Sequence, residues 1–270
     1  MNVAKMICLH DKKEIESFLR KNVYLNIYCI GDLDDFFWPY TTWYAYKDKE
    51  EIQAIALLYS GRQLLTLVAL SQENKTKHLL QNIIHLLPGR FHAHLCSGAQ
   101  TALECKYNVK SHGKFYKMAL KNKSLMQKTD CSEVIQLENK DLDEILEFYK
   151  QAYPGNWFDS RMLQTKQYYG IRKDNRIISI AGVHVYSEKY KVAALGNIAT
   201  HPDYRGNGFG KSVTAKLCRE LSEKVEHIGL NVKSDNEAAI SMYEKLGFKA
   251  VEPYWEFTFE LKQGAVSSDN

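Results

Sequence analysis

The chain has 270 residues, with 36 Lys+Arg against 32 Asp+Glu, a net charge of +4, and 45 % hydrophobic and 25 % charged residues. That is enough apolar material for two ordinary domains and excludes a disordered chain. The small positive balance comes without blocks of like charge, so no nucleic-acid partner is expected. No run approaches the ~20 apolar residues of a membrane helix, so no membrane partner is expected either.

The opening MNVAKMICLHDKKE has too short an apolar run for a signal peptide. Cys8, Cys29, Cys96, Cys105, Cys131 and Cys218 form no CxxC pair. They read as scattered buried thiols of a reducing compartment, and the expected location is cytoplasmic. KKEIESFLRKN and IYCIGDLDDFF carry helical periodicity. Residues 43–59, WYAYKDKEEIQAIALLY, predict a hairpin with a polar turn. The strand LLTLVAL and the helix KTKHLLQNII follow. On the strand FHAHLC, His92 and His94 share a face. Same-face histidines can bind metal, but no third ligand stands at an evident spacing, and no metal is expected.

A polar, lysine-bearing stretch, LKNKSLMQKTDCSE at 120–133, reads as a linker. Beyond it the pattern repeats. DLDEILEFYKQAY predicts a helix, and residues 168–186, YYGIRKDNRIISIAGVHVY, predict a second hairpin with a polar turn. The strand AALGNIAT and the helix KSVTAKLCRELS complete the parallel. The two halves therefore read as a tandem repeat of one α/β unit. The expected boundaries are 1–125, 131–262 and a frayed tail at 263–270.

One difference separates the halves. HPDYRGNGFGKS, at 201–212, runs from a strand through glycines to a helix start, while the first half has SQENKT there. Free N–H groups and the positive end of the dipole favour an anion at such a helix start, and glycine lets the backbone approach it. A P-loop needs glycine where Arg205 stands, and a dinucleotide fingerprint needs GxGxxG rather than GxGxG. The remaining pattern is RxxGxG, made by Arg205, Gly208 and Gly210. Past one more strand, LNVKSDNEAAISMYEKLGF (230–248) predicts a short helix. Ser234 or Asn236 caps it, Ala239, Ile240, Tyr243 and Leu246 share a face, and Gly247 stops it.

RxxGxG followed by this helix resembles the acetyl-CoA signature of the GNAT acetyltransferase superfamily over about residues 131–261. It is most similar to the branch with glycine N-acyltransferase-like proteins. The resemblance implies an α/β fold with a mixed sheet: two tandem GNAT-like domains, each a mostly antiparallel sheet flanked by helices. It implies acetyl-CoA, or another short acyl-CoA, as co-substrate. The CoA pyrophosphate is expected on Arg205, Gly206, Asn207, Gly208, Phe209 and Gly210, with Lys211 and Ser212 at the helix start. The pantetheine is expected along Ile198 and Thr200, with Asn236 near its amide. Tyr243 matches the tyrosine that protonates the leaving thiolate. The strand KVAALGNIAT lacks the glutamate that often serves as base; His184, or water relayed through Asn197 or a backbone carbonyl, is the alternative. Trp157 and Phe158 are expected to wall the acceptor pocket, and Asp159 to attract a cationic amine. The expected activity is N-acyl transfer from acyl-CoA to the primary amine of a small molecule, by direct attack in a ternary complex. A non-catalytic acyl-CoA-binding or scaffolding protein is the alternative. The loopless first half is expected to shape the acceptor site or to mediate contacts in a homodimer.

Overall fold

The structure, a computed structural model, describes residues 5–61 and 64–263. The expected tail lies outside them apart from Gln263, as do the first four residues of the opening segment. Two compact units emerge. Unit 1 runs through Tyr116 and resumes at Glu252; unit 2 is Lys117–Val251.

Unit 1 holds strands β1 (Lys5–Leu9), β2 (Thr41–Asp48), β3 (Glu51–Tyr59), β4 (Thr66–Ala69) and β5 (Arg90–Leu95), in that spatial order. Its helices are α1 (Lys12–Leu19), α2 (Ile27–Gly31) and α3 (Glu73–Ile83). Two long strands cross the unit boundary: β6 (Tyr107–Leu120) and β12 (Phe248–Leu261). The distal part of β12 lies against β5, antiparallel, from Trp255↔Leu95 to Glu260↔Arg90. Leu79, Leu80 and Ile83 of α3 pack on Leu67, Ala69, Phe91 and Phe259 in the unit 1 core.

Unit 2 holds β7 (Ile135–Gln136), β8 (Tyr169–Lys173), β9 (Arg176–Ser187), β10 (Val192–Thr200) and β11 (His227–Lys233). Its helices are α4 (Lys123–Met126), α5 (Leu142–Ala152), α6 (Phe209–Ser222) and α7 (Glu237–Lys245). The unit is a mixed sheet with flanking helices, as the resemblance implies. Strand sense repeats between the units. β3–β4 and β9–β10 are antiparallel, while β4–β5 and β10–β11 are parallel and joined through α3 and α6.

The hairpins match in finer detail. Lys49 and Glu50 in one turn, and Asp174 and Asn175 in the other, all have positive φ. Each is a two-residue turn of the kind whose twist suits a hairpin. Each hairpin also slips register close to the turn, at Tyr46/Lys47 and at Ile171/Arg172.

Three expectations need correction. The unit boundary falls inside β6 and β12, not at 125–131 or 262. The stretch read as a linker is packed within unit 2: Met126 is fully buried, and Arg219 of α6 donates to the carbonyls of Met126, Gln127 and Thr129. A polar composition did not reveal that an arginine would consume the stretch's carbonyls. Third, the cysteines are free thiols, but Cys8 and Cys105 are exposed rather than buried.

Candidate active site

Strand β10 opens the site. Its parallel ladder with β11 runs from Val192↔His227 to Leu195↔Leu230. Beyond Leu195 the register ends, so the backbone of Gly196–Thr200 diverges from β11 while keeping β9 on its other side. A bulge causes the change of course. Gly196 pairs Gly182 and Ala199 pairs Ile180, so Asn197 and Ile198 oppose Ala181 alone, and Asn197 takes a φ of 52°. Two tyrosines staple this bulge. Tyr149 of α5 donates to the Asn197 carbonyl at 2.6 Å, and Asn197 Nδ2 donates to the Tyr168 hydroxyl at 3.1 Å. Tyr168 in turn donates to the Val183 carbonyl at 3.0 Å. Burial holds the Tyr149 phenol far above its ordinary range, so it remains a donor. Neither tyrosine was singled out from sequence. Their signal was the aromatic positions before and at the head of the hairpin, which read only as core.

The glycine loop follows. Gly206 and Gly208 have φ of 83° and 84°, with open space where a Cβ would stand. Gly208 is the N-cap of the 14-residue α6, and no side chain caps it. The amides of the first turn thus have no intrahelical acceptor, and no acidic residue stands in that turn. Arg205 does not project freely. Its Nε donates to Thr200 O at 3.1 Å and its guanidinium to Ala152 O at 3.3 Å, tying the loop to β10 and to the end of α5. Asn207 Nδ2 donates to the carbonyls of Tyr204 and Arg205, both at 3.3 Å, folding the loop on itself. Phe209 meets Tyr204 edge-on at 6.4 Å, and the Lys173 ammonium stands 5.8 Å from its ring centre. Gly210 sits against Thr200, where an added Cβ would come 3.0 Å from Thr200 Oγ1 and 3.6 Å from Met242 Sδ. This close approach joins the strand, the loop and α7 at one place. Lys211 and Ser212 lie in the first turn of α6, and the Ser212 N–H closes on Gly208 O at 3.0 Å.

Tyr243 is on the buried face of α7, its ring edge-on to Phe248 at 5.9 Å. Burial, with smaller contributions from Tyr153 and Cys218, pushes its phenol well above the ordinary tyrosine range. The group is therefore a protonated hydroxyl at neutral pH. Asn236 caps α7, its Oδ1 accepting from Ala239 N at 3.2 Å. His184 is half-buried on β9, and its imidazole lies on the Cα of Gly196, where a Cβ would overlap the ring. The histidine and the β10 bulge are thus in contact, which strand alternation alone did not reveal.

The loop at 153–160 places its residues differently from expectation. Phe158 packs on Tyr149 at 5.2 Å and on Tyr168 at 5.5 Å, beside the bulge. Trp157 is exposed. Asp159 is engaged: its Oδ1 accepts from the Arg161 amide at 2.9 Å, and its Oδ2 takes the Arg161 guanidinium at 2.6 Å. A carboxylate already paired with arginine has little charge left for a cationic amine, so the attraction expected of Asp159 is withdrawn.

Among the described residues no helix is long and apolar enough to cross a membrane. Comparison with known proteins gives one concordant picture. The model of the acetyltransferase (GNAT) family matches residues 132–248. A [ribosomal protein bS18]-alanine N-acetyltransferase of Haemophilus influenzae is 33 % identical over 126 residues, 45 % of this chain and 84 % of that protein. Among solved structures, a Drosophila protein is similar in fold at a TM-score of 0.69 and 11 % identity, covering 97 % of this chain and 99 % of that one. A tandem GNAT protein from the clavulanic acid biosynthesis pathway is similar at a TM-score of 0.58 and 13 % identity, covering 99 % of this chain and 100 % of that one.

Proposed function

Since the chain belongs to the acetyltransferase (GNAT) family, we propose that unit 2 transfers an acetyl or other short acyl group from acyl-CoA to a primary amine by direct attack. The observation that carries this reading is the divergence of β10 from β11 beside a glycine loop that opens α6. An extended pantetheine arm finds backbone partners at Ile198 and Thr200. The pyrophosphate finds the amides from Gly206 to Ser212, at the positive end of α6. Asn236 stands at the start of α7 to meet the arm. The amine nitrogen attacks the thioester carbon, and the carbon–sulfur bond breaks as the tetrahedral adduct collapses. Tyr243 gives its proton to the departing thiolate, and His184, resting on Gly196, takes the proton the amine loses. Phe158 forms an apolar wall beside the reacting carbon, with Trp157 at its exposed rim.

Two acceptor classes fit this chemistry. A small amine fits a half-buried aromatic wall. The α-amine of a polypeptide gains support from the 33 % identical relative, which is named for acetylating an alanine of a ribosomal protein. Unit 1 reads as a copy of the same fold that has lost its cofactor site. Only Leu70, Ser71 and Gln72 separate β4 from α3, none is glycine, and Glu73 stands in the first turn. All four residues of β4 pair with β5, leaving no divergence.

The test is calorimetry with acetyl-CoA beside a thiol-release assay over small amines and alanine-starting peptides. One CoA bound per chain, with CoA release on one class of amine, supports the reading and names the acceptor. Binding without release on any amine favours an acyl-CoA-binding scaffold. No binding removes both, and two CoA per chain overturns the account of unit 1.

A further inference from the structure

The geometry points to a divalent transition-metal site in unit 1, built by His92, His94 and Glu256, with zinc the best chemical match. On β5, the two histidines alternate onto one face. The antiparallel register sets Glu256 directly opposite His94 and Thr258 opposite His92. This supplies the third side chain that local spacing in the sequence did not offer. The three ligand atoms lie within 4.8 Å of one another. His92 Nε2 is 3.4 Å from Glu256 Oε2, and His94 Nε2 is 3.4 Å from Glu256 Oε1.

Those distances decide between two uses of the cluster. Charge-assisted N–H···O bonds close to about 2.7–2.9 Å. Ligands about 2.0–2.1 Å from a tetrahedral zinc stand about 3.3–3.4 Å apart, which is the separation of each imidazole nitrogen from its nearer Glu256 oxygen. The side chains of His92, His94 and Glu256 are only 8 %, 18 % and 15 % exposed, so the cluster is poorly hydrated and its ligand atoms compete little with bulk water. A divalent ion accepts two neutral imidazoles and the carboxylate together, with a fourth position for water.

A supporting shell is present. Tyr254 donates to Glu256 Oε1 at 2.6 Å, which orients the carboxylate, and its ring lies 5.2 Å from that of His94. His112, on β6, places its ring 5.5 Å from that of His92 and bonds Thr258 Oγ1 through Nε2 at 2.8 Å. Mixed nitrogen and oxygen donors suit zinc and its neighbours, not magnesium, which prefers oxygen alone. The ion would clamp β12 onto β5.

The experiment uses the full chain, stripped with chelator, titrated with zinc chloride and, separately, with magnesium chloride. The expected result is one zinc per chain and no magnesium. The unfolding midpoint should rise by about 5 °C or more when free zinc stands ~100-fold above its Kd, reversibly with EDTA. Cobalt substitution should give a visible spectrum free of thiolate charge transfer, which separates this site from the free cysteines. His94→Gln and Glu256→Gln should each abolish the stoichiometric zinc, while His85→Gln, at an exposed histidine elsewhere, should leave it unchanged. Absence of stoichiometric zinc in the unaltered chain, a thiolate spectrum, or undiminished binding in both site variants would overturn the proposal.

Discussion

Tyr243 is held as a neutral hydroxyl by burial, and this sets how the rate should respond to pH. An acid whose folded-state pKa lies far above the assay range stays competent throughout it. The rate should rise as amine and base lose their protons, then stay level to about pH 10 rather than fall. Tyr243→Phe should lower kcat about 100-fold while leaving the KM for acetyl-CoA within about twofold, read in a steady-state thiol-release assay. A basic limb below pH 10, or an unchanged kcat in the phenylalanine variant, would remove Tyr243 as the acid. His184 can be probed without touching it. A Cβ on Gly196 would overlap the imidazole, so Gly196→Ala should displace the ring and lower kcat about as much as His184→Ala. The double variant should be no worse than either single one, because both remove one function. Additive losses would show that the two positions act separately. The buried face of α7 that carries Tyr243 was legible in sequence because a short capped helix ending in glycine defines it. The contact between His184 and Gly196 was not, because it depends on a bulge that no residue type announces.

At the scale of elements, the sequence showed which segments are strands and helices more clearly than how their ends are secured. Both polar turns were visible, yet their positive φ values fall on Lys49, Glu50, Asp174 and Asn175, without a glycine to mark them. The loop before α6 was readable because glycine is there and because the helix after it is strongly periodic. The end of α7 shows a further constraint. Gly247 has φ 98°, and its carbonyl accepts from the amides of Lys121 and Asn122 at 2.9 and 3.1 Å. A Cβ there would run into the backbone carbonyl of Asn122, which cannot rotate away. Gly247→Ala should cost at least about 2 kcal/mol, a fall of about 4–8 °C in the unfolding midpoint. A midpoint within 1 °C of the parent, roughly the scale of assay scatter, would show that the chain relaxes there at little cost.

The whole molecule departs furthest from what composition foretold. The common order of hairpin, strand and helix was legible because each half writes it in residue pattern, and the strand senses follow that order in both units. The boundary was not, because it runs through two strands, and strand pairing is set by register rather than by a change of composition. A fragment cut at the expected limits, 131–262, would lack Lys117–Asp130 of unit 2, α4 included, and would carry Glu252–Leu261 without the β5 on which that segment pairs. It should express as an aggregating or molten chain, with weak near-ultraviolet dichroism, while the full chain shows a sharp transition. A cooperative, CoA-binding fragment would show that unit 2 stands without those segments.

The placement of β12 also governs the order of assembly during synthesis. The segment that lies against β5 leaves the ribosome only after the whole of unit 2, whereas β5 itself emerges before unit 2. Until then the edge of β5 waits unpaired, exposed to the pairing errors that open edges invite. Unit 1 therefore begins before unit 2 and is completed only after it. Its folding rate is tied to a long-range closure rather than to its own local propensities.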